Sequence, residues 1–219
     1  EKLDEYGLDA MMVTSAPNRM YAAQFRSSAG MAIITRDGSY FFTDSRYIEA
    51  ARKAVTGAEI GQNTTDKPLS ALANEVIAKH GIKRLGFEEQ YATVGEYNTW
   101  KEKLTCEELV PAAQLLTNLR AVKDQSELDA LIAAQRIAEK ALQEALEFIK
   151  PGRTEKEISA FLQYRMLCHG ADRMSFEPIV VSGVNSSMPH GVPSGKPVED
   201  GDFITMDFGC VYRGYCSDM

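Results

Sequence analysis

Apolar residues are spaced in two ways along this chain. Over roughly the first 118 residues, short apolar runs alternate with segments of helical spacing. "LDAMMVT" (8–14) is a run of the first kind. It follows a helix expected to end at Gly7 and leads into "SAPN" (15–18), which reads as a turn. "MAIIT" (31–35) and "YFFTD" (40–44) flank "RDGS", and Asp37-Gly38 between two β-rich runs predicts a hairpin. "SRYIEAARKAV" (45–55) has helical spacing. "PLSALANEVIAKHG" (68–81) puts Leu69, Leu72, Val76 and Ile77 on one face, with Gly81 as the C-terminal cap. "RLGFE" (84–88) predicts another strand, and "TVGEYNTWKEKL" (93–104) another helix. Strands alternating with helices predict an α/β domain over residues 1–118.

From residue 119 the order changes to helices first and strands afterwards. Asp124 and Glu127 have the spacing of a capping box and open a long helical stretch. Leu128, Leu131, Ile132, Ala138, Leu142, Ala145, Leu146 and Ile149 form its expected apolar stripe. Pro151-Gly152 ends that helix. Thr154 and Glu157 repeat the box and open a second helix, running to about His169-Gly170. The runs in "EPIVVSG", "FITMDFG" and "YCSD" then read as strands. Residues 119–219 are therefore expected to form a second, α+β unit.

Composition narrows the picture modestly. Hydrophobic residues make up 44% and charged residues 25%, as in ordinary globular proteins. The formal charge is −7, and no basic stripe is present, which argues against nucleic-acid binding. No apolar run approaches the roughly 20 residues needed to cross a bilayer, and no signal peptide is visible. Residue 1 is Glu, so the natural start is expected upstream. None of the four cysteines forms a C-x-x-C pair, and Cys210 and Cys216 could meet across the last hairpin. They are read as reduced, structural thiols of a cytoplasmic protein.

The candidate chemistry lies in the last thirty residues. "FITMDFGCVY" and "GYCSD" meet near Tyr212-Arg213-Gly214. With a two-residue turn at Tyr212-Arg213, Asp207 would face Asp218 across the ribbon. A turn involving Gly214 would shift that register. Like charges directly opposed on a sheet destabilise it. One carboxyl could keep its proton, or a hard or borderline cation such as Mn²⁺, Co²⁺ or Zn²⁺ could sit between the two. A pair of solvated hairpin carboxylates is the competing reading. His190, between Pro189 and Gly191, sits on a loop able to present it to a cleft. His80 and His169 fall near helix C-termini and read as structural. "NRMYAAQFRSSAG" (18–30) could be a binding loop or a solvated turn.

Taken together, these stretches resemble the M24 metallopeptidase family, in particular its Xaa-Pro aminopeptidase and prolidase branch. "GLDAMMVTSAPNRMYAAQFRSSAG", "FFTDSRYIEAA" and "LGFEEQYATVGEY" resemble its creatinase-type N-terminal domain. "FEPIVVSGVNSSMPHGVPSGKPVEDGDFITMDFGCVYRGYCSDM" resembles the catalytic domain. The resemblance implies a mixed sheet with flanking helices over 1–118, then the first half of an α+β pita-bread domain over 119–219. It implies Asp207 and Asp218 as metal ligands and His190 as a catalytic, substrate-contacting residue. It implies two divalent ions in the full-length protein, Mn²⁺ foremost, that activate a water against the bond preceding proline. The family's other ligands, one His and two Glu, would lie further along, so this chain alone should hold metal weakly and be inactive. A proline-containing peptide as substrate and a homodimer follow from the same resemblance, with no nucleic-acid or membrane partner. Two alternatives are an M24-like module that only binds peptide or protein, and a metal-free amidinohydrolase like creatinase.

Overall fold

The computed structural model describes all 219 residues, which divide into two compact units, Glu1–Val122 and Lys123–Met219. Helix Ala113–Ala121 spans residue 118, so the first unit runs on to Val122 instead of ending inside that helix.

The first unit is built on a six-stranded mixed sheet. In chain order its strands are β1 (Ala10–Val13), β2 (Met31–Thr35), β3 (Ser39–Thr43), β4 (Glu59–Gln62), β5 (Arg84–Phe87) and β6 (Glu108–Pro111), and their spatial order is β4-β3-β2-β1-β5-β6. β2 pairs antiparallel with β1 and β3, while the β1–β5, β5–β6 and β3–β4 pairs are parallel. The helices are α1 (Lys2–Glu5), α2 (Ala16–Ala23), α3 (Ile48–Ala54), α4 (Leu69–His80), α5 (Val94–Lys103) and α6 (Ala113–Ala121). β1 is buried along its whole length, as a central strand covered on both faces should be. One core gathers Met12, Ile33, Tyr40, Phe42, Val76, Leu85 and Phe87, and a second gathers Leu8, Met11, Val13, Phe41, Leu115 and Leu116.

Two local expectations change here. "SAPN" is not a free turn but the start of α2. Ser15 is its N-cap and accepts from the Asn18 amide at 3.3 Å, and a proline fills the first helical turn. The hairpin between β2 and β3 turns at Arg36-Asp37, and the Thr35 hydroxyl takes the Asp37 and Gly38 amides.

The second unit opens with α7 (Gln125–Phe148) and α8 (Glu155–Cys168), both carrying the predicted capping boxes. The strands β7 (Arg173–Met174), β8 (Ile179–Ser182), β9 (Ile204–Asp207), β10 (Cys210–Tyr212) and β11 (Tyr215–Cys216) follow. They form a β11-β10-β7 sheet and a β8-β9 pair. The buried face of α7 differs from the predicted stripe. Ala138 and Ala145 of that stripe are buried, joined by Glu127, Ala130, Ala134, Ile137 and Ala141, whereas Leu128, Ile132 and Leu146 are exposed. Small residues let α7 lie close against α8 and β10, so alanines occupy the contact and leucines ring it. No helix of either unit is long and apolar enough to cross a membrane.

Candidate metal-ligand hairpin and its neighbouring loop

The hairpin that carries Asp207 and Asp218 turns at Arg213-Gly214, not at Tyr212-Arg213. Tyr212 faces Tyr215 and Val211 faces Cys216. The same register continues outward, with Ser217 donating its amide to the Cys210 carbonyl at 2.8 Å and Phe208 and Met219 exchanging two bonds of 3.0 Å. Both turn residues have positive φ, 50° at Arg213 and 85° at Gly214, as a tight primed turn demands. Asp218 therefore lies opposite Gly209, and Asp207 is its diagonal neighbour. Such diagonal pairs sit roughly 7–8 Å apart. Cys216 faces Val211 and does not meet Cys210, whose buried thiol donates to the Ala134 carbonyl at 3.3 Å.

Strand alternation sets which way these residues face. Phe208, Cys210 and Tyr212 pack into the core of the second unit. Asp207, Gly209 and, on the other arm, Asp218 take the opposite face. Gly209 is needed there: a Cβ on it would stand 2.0 Å from the Ser217 carbonyl oxygen. Neither aspartate carboxylate accepts a hydrogen bond or joins an ion pair. The direct opposition of like charges expected from the other register is absent. What remains is two acceptor-only groups on one face, with their lone pairs uncommitted. Carboxylate oxygens in that state suit a hard divalent cation, so the donor set fits the implied metals as part of a coordination shell. No group of three or more His, Cys, Asp or Glu side chains is close enough to hold a metal, so His190 does not join the aspartates as a third ligand. Cavities of about 530 Å³ beside Pro193 and about 550 Å³ in the first unit include none of the three residues; His190 and Asp218 are exposed and Asp207 is half-buried.

His190 sits exposed in a turn of the loop between β8 and β9, and its ring has no hydrogen-bond partner. The next residue, Gly191, is buried, and a Cβ there would come within 2.8 Å of Val181 and 3.2 Å of the Met188 carbonyl. The backbone beside His190 is thus pressed onto β8 while the imidazole faces solvent. The other histidines are bound within the fold: His80 pairs with the Tyr40 hydroxyl at 2.7 Å and His169 with Glu144 at 3.0 Å.

Two fully buried carboxylates went unnoticed in the sequence. Glu88, just after β5, accepts from the Thr14 amide (2.5 Å), the Ser15 amide (2.9 Å) and hydroxyl (2.5 Å), and the Asn18 side-chain amide (2.6 Å). Asn18 and Arg19 of the 18–30 stretch are therefore buried in a network that also includes Arg120. Glu155, the first residue of α8, accepts from Ser182, Asn185 and Ser194. Burial pushes its carboxyl upward, but these hydrogen bonds outweigh it and hold the group down at about 2. A weak signal existed for Glu88, which follows an apolar run; Glu155 stands between Thr154 and Lys156, and nothing local distinguishes either from a solvated carboxylate.

Comparison with known proteins places the chain. Residues 1–122 match the Creatinase/Prolidase N-terminal domain, and residues 129–219 match Metallopeptidase family M24. An uncharacterized peptidase of Bacillus subtilis, YqhT, is 41% identical over 98% of this chain and 60% of its own length. The Xaa-Pro dipeptidase of Pyrococcus horikoshii is 29% identical over 100% of this chain and 60% of its own. Among solved structures, the Xaa-Pro dipeptidase from Bacillus anthracis superposes with a TM-score of 0.91 at 40% identity, over 99% of this chain and 60% of that one. The chain thus spans about 60% of the length of these relatives. It belongs to the creatinase/prolidase N-terminal domain family, and that domain is followed here by part of a metallopeptidase family M24 domain.

Proposed function

We propose that this chain is part of a metallopeptidase that hydrolyses the peptide bond preceding proline. Asp207 and Asp218 are its contribution to the binding of two divalent ions, Mn²⁺ foremost and Co²⁺ or Zn²⁺ otherwise. His190 is its substrate-contacting group. The observation that carries this reading is the pair of uncommitted carboxylates on one face of the terminal hairpin. The relatives named Xaa-Pro dipeptidase give it a substrate class.

Divalent ions at such a site would polarise the scissile carbonyl and make water acidic enough to attack at neutral pH. The rest is the work of the chain itself. Asp207 and Asp218 hold their oxygens on one side of the ribbon, set by a tight turn and by the Phe208–Met219 pairing. His190 offers an imidazole N–H to a substrate carbonyl or to the charge that develops on it. Two carboxylates are too few ligands to hold an ion firmly. The 219-residue polypeptide alone therefore binds divalent ions weakly and turns over no Xaa-Pro peptide. A homodimer in the cytoplasm is the setting this reading carries with it.

The test is hydrolysis of an Xaa-Pro dipeptide by the whole protein. A chelator should abolish turnover and Mn²⁺ restore it. Asp207→Asn and Asp218→Asn should each lose at least about 100-fold, the scale on which even the outer partners of a metal site act. Full turnover in chelator, or in either variant, overturns the reading.

A further inference from the structure

The loop that carries His190 leaves β8 at Ser182 and returns at Ser194, and both ends close on one buried side chain. Glu155 Oε1 accepts from the Ser182 amide (2.7 Å) and hydroxyl (3.1 Å) and from the Asn185 side-chain amide (3.1 Å). Its Oε2 accepts from the Ser194 amide (2.9 Å) and hydroxyl (2.6 Å). Each carboxylate oxygen thus holds one stem of the loop. The first turn of α8 reinforces the returning stem, as the amides of Glu155 and Lys156 donate to the carbonyls of Lys196 and Ser194 at 3.1 Å. Those are helix-terminal N–H groups that have no partner inside the helix. Lys196 adds a bridge between stems, reaching the Ser182 hydroxyl at 3.1 Å and Asp202 at 2.7 Å. Between the stems only Gly191 is buried against β8, and His190 stands free at the tip.

We propose that Glu155 is a positioning residue for His190: its carboxylate clamps both stems of the loop and so fixes where the imidazole is presented. The proposal rests on the reading of His190 as substrate-facing. A carboxylate suits this role because it is acceptor-only on both sides. A glutamine in its place offers one acceptor and one donor, so it can keep one stem but must set an N–H against the amide of the other. A loop freed at one stem moves its tip by the ångström or so that costs a reacting group its alignment.

The test has two independent arms. Amide exchange on the 219-residue chain reads the clamp without catalysis. In Glu155→Gln, exchange over residues 183–193 should rise about 10-fold while the α7 segment 130–141 stays as in wild type. In the whole protein, Glu155→Gln should lower kcat about 10- to 100-fold. The same change in a His190→Ala background should cost less than about twofold further, because a residue acting only through His190 has nothing left to position. Unchanged loop exchange overturns the clamp. A loss of kcat that persists at full size in the His190→Ala background overturns the positioning role and makes Glu155 a general stabiliser. Full turnover in His190→Ala alone overturns the reading of His190, while the exchange arm still judges the clamp. Should Glu155→Gln fail to fold, Asn185→Ala and Ser194→Ala each cut one stem and should show the same exchange pattern with smaller amplitude.

Discussion

Each unit of this chain buries one glutamate completely, and the two carboxylates make nearly the same set of bonds to different ends. Glu88 gathers the amides of Thr14 and Ser15 with the side chains of Ser15 and Asn18, and the segment past them is anchored in the fold at intervals: Asn18, Arg19, Ala23 and Ser27 are all buried. Glu155 gathers a comparable set from Ser182, Asn185 and Ser194, yet beyond them the chain runs into solvent, with Val184 and Val192 about four-fifths exposed around His190. The bonds are alike; what lies beyond them decides the consequence. Where the tied segment continues into a core, the carboxylate fixes the fold. Where it continues into an exposed loop, the carboxylate fixes a presentation. The first should answer to stability measurements and the second to loop dynamics and kinetics.

The largest effect is expected at Glu88. Arg19 lies beside it with its guanidinium on the Thr14 and Ser27 carbonyls. Burial pulls that guanidinium below its usual value, and Glu88 pulls it back up. Glu88→Ala removes the compensating charge and orphans several buried donors at once. Breaking one side of such a buried arrangement costs about 3–5 kcal/mol. Trp100, the single tryptophan, stands edge-on to Phe87 at 6.1 Å and reports on this region. Urea unfolding followed by its fluorescence should show the loss; a change below about 1 kcal/mol would equate Glu88 with an ordinary surface carboxylate.

The next effect is a pH dependence at Glu155. Glu155 is held at about 2 against an ordinary value of 4.5. A carboxyl whose folded value lies below the unfolded one stabilises the fold above the unfolded value, and that stabilisation disappears as pH falls through the folded one. The contribution is therefore complete above about pH 4.5, on the order of 3 kcal/mol, and lost toward pH 2. Glutamine cannot titrate. The stability difference between wild type and Glu155→Gln should be largest at pH 7, shrink between pH 4.5 and 2, and be near zero at the acid end, as read from urea midpoints by circular dichroism. A difference that stays constant over that range would mean that the carboxylate's charge is not what the stems require.

How far the chain's sequence discloses all this depends on whether the signal is local. The helices with capping boxes at Asp124 and Thr154 were legible because cap and partner are three residues apart. The buried strands were legible from their apolar runs, and the family from long matching stretches. β4 and β6 were not, because "EIGQ" and "ELVP" form strands only through the neighbours they pair with in parallel. The α7 stripe misled because close packing favours alanine over leucine at the contact. Glu88 and Glu155 were invisible for the same reason in a stronger form. Their partners lie 70 to 74 and 27 to 39 residues away, so no spacing rule links them.

The hairpin register stayed open in the sequence for a different reason, and it supplies the smallest predicted effect. A type I′ turn needs positive φ at both central positions, a requirement that Asn-Gly and Gly-Gly meet easily and Arg-Gly does not. Arg213 nevertheless holds φ at 50°, because the flanking pairs Tyr212–Tyr215 and Phe208–Met219 fix the register from outside the turn. An L-residue with a full side chain carries about 1 kcal/mol of strain there. Arg213→Asn should therefore raise stability by about 0.5–1 kcal/mol without touching either buried carboxylate, and the amide-exchange pattern of the Glu155 loop should stay as it is. If the register were instead held by the turn, with Arg213 relaxed in a neighbouring arrangement, asparagine would shift the pairing. Asp218 would then no longer lie opposite Gly209, and cross-strand nuclear Overhauser contacts between those two residues would vanish. The comparison of the two carboxylates predicts the first outcome. In both units position is set by partners far along the chain, and the local turn adapts to them.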